Sequence, residues 1–217
     1  MKTATPAQLL LLTLISNFGY LTTRELAILA YPKHSKESAI KAAQKSMVRL
    51  RADGLVLARE LPYDGQTNAY VITRAAADQL CDHHCALWFG HGYDIAMNDL
   101  HARRPMIDLL GSLAGQLDLE PVGGRGLAWD YQELKHMKVY DALLVNANRE
   151  PVFGIATFHG FNAAATKRIH ALAARPLPFL IATTNEPRLQ RLIRDRREAS
   201  AEMDELVTMM LPAAVVA

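Results

Sequence analysis

The segment RADGLVLARELPYDGQTNAYVIT, residues 51–73, constrains the fold more than any other stretch of the chain. Two runs of strand-forming residues, Leu55 to Leu61 and Ala69 to Ile72, flank a loop around Asp64-Gly65, the pattern of a β-hairpin. Asp53-Gly54, just before it, ends a helix with a glycine C-cap. Ser35 caps the start of that helix, and Ile40, Ala43, Met47 and Leu50 recur at helical spacing as its buried stripe. With those four inward, Ser38, Lys41, Ala42, Lys45 and Arg49 face outward. The hairpin therefore either closes a small core or stands beside a basic helix as a second contact element.

The residues upstream supply two more helices. Pro6 suits a first helical turn, and the apolar run Ala7 to Ile15 is closed by Asn17-Phe18-Gly19-Tyr20. Thr22 or Thr23 caps a second helix with Glu25 in its first turn, and Pro32 stops it near Tyr31. Thr73 caps a fourth helix, 74 to about 87. The order is helix, helix, basic helix, hairpin, helix.

A basic helix face is by default a solvated one. Here the order of elements adds to it. LTTRELAILAYP resembles the second helix of winged helix-turn-helix proteins, and SMVRLRADGLVLARE resembles their join between recognition helix and wing. The expected contacts to duplex DNA are Ser38, Lys41, Ala42, Lys45 and Arg49, because cations neutralise phosphates and small residues let the backbone approach. Lys36 supports phosphate binding at the helix N-terminus, and Arg59, Gln66 and Asn68 are the wing contacts.

Beyond residue 87 the pattern changes. Residues 88–122 read as a helical connector that continues past Pro105, and Gly123-Gly124-Arg125-Gly126 as a loop without the spacing of a phosphate-binding turn. Strands follow at Leu127 to Tyr131, Val139 to Val145 and Val152 to Phe158, then a helix from Asn162 to Ala174 and a buried strand at 176–183. A long last helix, 186 to about 211, carries an apolar stripe that either covers its own domain or forms a dimer contact. The expected fold class is α+β: a winged helix-turn-helix at 1–87, a connector at 88–122, and a small α/β domain at 123–217.

YVITRAAADQL, HGYDIAMNDLHARR and VYDALLV together resemble segments of the plasmid replication-relaxation family. His91, Asn98 and Asp99 match the middle motif, and Asp141, Ala142 and Leu144 the third. The resemblance implies an N-terminal winged helix, a second domain with a restriction-endonuclease-like sheet, and a setting on plasmids or integrative elements. Nucleases of that fold hold a metal ion with an Asp on one strand and an acidic-x-Lys pair on the next. Asp141 stands at the first position, but PVFGIATFHG carries neither carboxylate nor lysine. Glu120, Glu133 and Lys167 would make an irregular set. The expectation is a nuclease-like shell that is no enzyme, with no cofactor and no metal, in which Asp141 is a strand-end hydrogen-bonding residue. A metal-dependent nuclease using Asp141 is the alternative.

CDHHC, 81–85, places Cys81 and Cys85 on one helix face, where they bind zinc if a second pair comes from elsewhere, one member of it from His91 or His101. It lacks a second cysteine pair, and buried small residues are the simpler reading. Among 217 residues, 50% are hydrophobic and 21% charged, the balance of a folded soluble domain, and the net charge of +2 confines any basic surface to a local patch. The Leu9 to Leu12 run is too short to span a bilayer and precedes no clear cleavage site, so a cytoplasmic protein without membrane contact is expected. Expected partners are double-stranded DNA, a second copy in a homodimer, and a protein of the same mobile element. A third reading is a protein-interaction module whose winged helix no longer binds DNA.

Overall fold

The computed structural model of the chain describes residues 3–61, 64–82, 91–92, 100–126, 140–158, 162–175, 177–183 and 187. Its first helix, α1 (Pro6–Phe18), opens on a reciprocal cap: the Thr5 hydroxyl accepts from Gln8 N and the Gln8 side chain accepts from Thr5 N. After β1 (Leu21–Thr22), the same device starts α2 (Thr23–Ala30), where Thr22 is the cap and Glu25 its partner. Ser35 caps α3 (Lys36–Ala52) by accepting from Ser38 N. Gly54, at φ +71°, ends α3: Leu55 N donates to Leu50 O and Gly54 N to Arg51 O, the paired bonds of a Schellman turn. The buried stripe of α3 is Ala39, Ala43, Met47 and Leu50; Ile40 is only half-buried, so the helix is rolled slightly from the expected orientation.

Strands β2 (Val56–Leu61) and β3 (Asp64–Ile72) pair antiparallel, and β1 adds to the other edge of β3, giving the order β1-β3-β2. The hairpin differs from the sequence expectation. β3 begins at Asp64, which pairs with Leu61, so Asp64-Gly65 lies in a strand and not at the tip. A register shift at Glu60/Leu61 absorbs the extra residues. Helix α4 (Arg74–Asp82) follows, with the Thr73 hydroxyl accepting from Ala76 N and donating to Gly54 O.

Helix α5 (Leu100–Leu117) leads into a second sheet of β4 (Glu120–Gly123), β5 (Ala142–Val145), β6 (Pro151–Phe158) and β7 (Phe179–Thr183), in that order. The first three are antiparallel; β6 and β7 are parallel, joined through α6 (Ala163–Ala173), which Asn162 caps. β4 corrects the expected boundary, since Glu120–Gly123 is a paired edge strand where connector and loop were expected. The expected strand at 127–131 and the last helix lie outside the described residues.

The two sheets share one apolar core. Leu12 and Ile15 of α1 and Leu26 of α2 join Ile107 and Leu110 of α5, and the cluster continues to Ala142, Leu144, Ile155 and Leu180 of the second sheet. Helix α5 packs between α2 and the second sheet and so joins that sheet to the N-terminal helices. The opposite face of the second sheet, Leu143, Val145 and Ala156, packs on Ile169 and Leu172 of α6. Every residue of β5 is buried, as expected of a strand covered on both faces.

Two devices bring α5 against α2. Gly111 and Gly115 remove side chains at the contact: a Cβ on Gly111 would lie 2.1 Å from Ile28 Cγ2, and one on Gly115 3.2 Å from Pro32 O. Arg103 then grips the start of α2. Its Nε donates to Glu25 Oε1 (2.8 Å), and its Nη2 to Glu25 Oε2 and to Tyr20 O (both 2.7 Å), while the guanidinium stacks 3.8 Å from the centre of the Tyr20 ring. Among the described residues no helix is long and apolar enough to cross a membrane.

Candidate nucleic-acid interface

A helix with one side committed to the core has a fixed solvent side, and α3 has both. Ala39, Ala43, Met47 and Leu50 bind it to the N-terminal core, which leaves Lys36, Glu37, Ser38, Lys41, Gln44, Lys45, Val48 and Arg49 exposed. Lys41, Lys45 and Arg49 follow at four-residue steps, so three cations line about 12 Å of helix on one side. No ion pair among the described residues engages any of them. Glu37 is the acidic group of this face and sits in the first turn, where it complements the helix dipole.

The remaining expected contacts divide. Lys36 is exposed at the first position of α3. Ser38 is exposed, but its hydroxyl is engaged at 2.9 Å by Ser35, so it serves the helix cap. Ala42 is half-buried and marks the edge of the face. Arg59 is half-buried, and its Nη1 donates to Gly92 O at 3.2 Å, which ties β2 to the chain beyond α4. Asn68 is exposed, cross-strand from the exposed Glu60, so a carboxylate sits beside it and weakens any attraction for phosphate. The backbone of Gln66 lies in β3; its side chain is outside the described residues.

Sequence reasoning missed two members of the face, Gln44 and Val48. Both fall in the arc that holds Lys41 and Lys45, and Val48 is 67% exposed. The helical spacing contained this information, but attention to charge passed over a neutral amide and an apolar side chain.

Asp141 sits one residue before β5 and is bonded to two protein groups. Its Oδ2 accepts from Thr157 N at 2.6 Å and pairs with Arg168 Nη2 at 3.0 Å. Arg168 also donates to Thr157 O, so aspartate and arginine together hold both backbone groups of one residue on β6. Both carboxylate-binding partners are thus protein groups. Glu120 is exposed at the far edge of the sheet, and Lys167 is exposed on α6. Among the described residues no three His, Cys, Asp or Glu side chains are grouped to hold a metal ion. Cys81 is half-buried and forms no disulfide among the described residues; Cys85, His84, Asn98, Asp99 and Glu133 lie outside the described residues, as does the His101 side chain.

No protein-family model matches the chain, and neither does any curated protein or solved structure.

Two ionisable groups in this part of the molecule are moved by burial. Arg125, which follows β4 and reaches back over Gly19, has its basicity lowered by desolvation. Tyr140 is pushed above the usual phenol range by burial, an effect partly opposed by Arg175; its hydroxyl donates to Leu177 O.

Proposed function

We propose that the chain is a duplex-DNA-binding protein whose α3 enters or lies along the major groove. The observation that carries the reading is the row of Lys41, Lys45 and Arg49, exposed, without an ion pair among the described residues and on a helix fixed by its opposite side. The element order α1-β1-α2-α3-β2-β3, with sheet order β1-β3-β2, supports a winged helix-turn-helix with α3 as its recognition helix. In this reading Lys36, Lys41, Lys45 and Arg49 contact phosphates and base edges, Ser38 and Ala42 allow close approach, and Asn68 and Gln66 are the hairpin contacts. Arg59 acts by bracing the hairpin.

The order α5-β4-β5-β6-α6-β7 supports a restriction-endonuclease-like second half, in which β6 carries neither carboxylate nor lysine. We read it as non-catalytic, serving dimerisation or contact with a protein of the same plasmid or integrative element. The setting is the cytoplasm, and the role is regulation of transcription, replication or transfer. These assignments rest on the sequence resemblance to the replication-relaxation family.

The test is a gel-shift titration across salt with Lys45→Ala/Arg49→Ala. Each phosphate contact contributes about 0.9 to the slope of log affinity against log salt. Loss of two lowers the slope by about 1.8 and the affinity at about 0.1 M salt by roughly 60-fold. Equal affinity and equal slope for variant and parent refute the proposal.

A further inference from the structure

An exposed valine needs no special reason by itself. Val48 differs in where it stands. It lies on the side of α3 opposite Leu50, which is fully buried, and it is 67% exposed. Lys45 is three residues before it, Gln44 four and Lys41 seven, so the apolar side chain lies in the middle of a cationic face with a carboxamide one turn away. Nothing in helix chemistry favours this choice. A β-branched residue is a poorer helix former than alanine, and an apolar pole gains no burial.

The same four side chains match the chemistry of one base pair class. In the major groove, an A·T pair offers the thymine C5 methyl to an apolar group and adenine N6/N7 to a Gln or Asn side chain. Cations on either side reach the flanking phosphates. We infer that Val48, with Gln44, is a specificity-determining contact of this protein: Val48 packs on a thymine methyl in the major groove, and Gln44 reads adenine in the same or an adjacent pair. The inference rests on the DNA-binding reading above and adds to it a preference for A·T pairs under the centre of α3.

The experiment uses the full-length chain and random-sequence duplexes. Sequences retained by the parent protein are resynthesised with thymine or with uracil, which differ only by the C5 methyl. The parent binds the thymine form more tightly by about fourfold for each contacted pair, the transfer preference of one methyl-sized group. Val48→Ala binds the two forms equally while keeping the salt slope of the parent, and Val48→Ile retains the preference. Because Val48 is exposed, Val48→Ala melts at the same or a higher temperature, which separates a contact role from a folding role. Equal binding of thymine and uracil forms by the parent, or a preserved preference in Val48→Ala, overturns the inference while leaving DNA binding intact. Failure of the parent to retain any duplex at low salt overturns the DNA-binding reading and the inference with it.

Discussion

Removing Arg103 tests whether α5 is an integral layer of the fold. The side chain makes three charge-assisted hydrogen bonds, two to Glu25 and one to Tyr20 O, and stacks on the Tyr20 ring. Arg103→Ala leaves the Glu25 carboxylate, only 6% exposed, without its counter-charge. Breaking a buried pair by deleting one partner costs about 3–5 kcal/mol. Part of that is offset here, because Oε2 still accepts from Thr22 N and Thr22 Oγ1. Among the described residues Oε1 has no such reserve, since its partner is Arg103 Nε. The lost stacking adds about 0.5–1 kcal/mol. The expected loss is therefore about 3 kcal/mol, read as a lower urea midpoint at unchanged slope. Because the two sheets share a core, we expect the parent to unfold in a single cooperative transition. A double-mutant cycle with Glu25→Ala isolates the pair, and we expect a coupling of about 2 kcal/mol or more. A loss below about 1 kcal/mol, or coupling near zero, means that the arginine is an onlooker and that α5 is held by packing alone.

Gly111→Ala forces a methyl to within 2.1 Å of Ile28 Cγ2 and 3.0 Å of Ile28 O, so overpacking outweighs the helix-propensity gain and stability falls by about 1–3 kcal/mol. Gly115→Ala, with its nearest atom at 3.2 Å, shifts the thermal midpoint far less. Asp141→Ala removes the acceptor for Thr157 N and the partner of Arg168, costing about 1–2 kcal/mol in chemical denaturation. Supercoiled plasmid incubated with magnesium or manganese stays intact with parent and Asp141→Ala alike; nicking by the parent that the variant loses restores the nuclease alternative. Burial raises the Tyr140 phenol in the folded state, so its contribution is present below the unfolded value of about 10 and is lost as pH rises through the higher folded value. Thermal midpoints measured from neutral to strongly alkaline pH fall more steeply for the parent than for Tyr140→Phe, and parallel curves rule the effect out.

Local chemistry made most of the first half legible. Thr22 with Glu25, Ser35, and Asp53-Gly54 mark helix ends through hydrogen bonds made within a few residues, so their meaning does not depend on distant chain. The alternation of the hairpin gave two strands, but not their ends. Whether Asp64-Gly65 turns or pairs depends on a register set across the strands, and the bulge at Glu60/Leu61 carried pairing beyond the apolar run. The orientation of Lys41, Lys45 and Arg49 was readable because the period of a helix ties its outer face to its inner one.

Sequence alone determined the α+β character, the position of α3 and the missing carboxylate and lysine of β6. Tertiary structure decided the rest: that Arg59 bonds to Gly92, that Asp141 is held by Thr157 and Arg168, that Glu120–Gly123 is a strand, and that α5 packs between α2 and the second sheet. Each of these depends on a partner at least 16 positions away. A helical or strand period states which side of an element is buried, but contains nothing about which distant surface covers it.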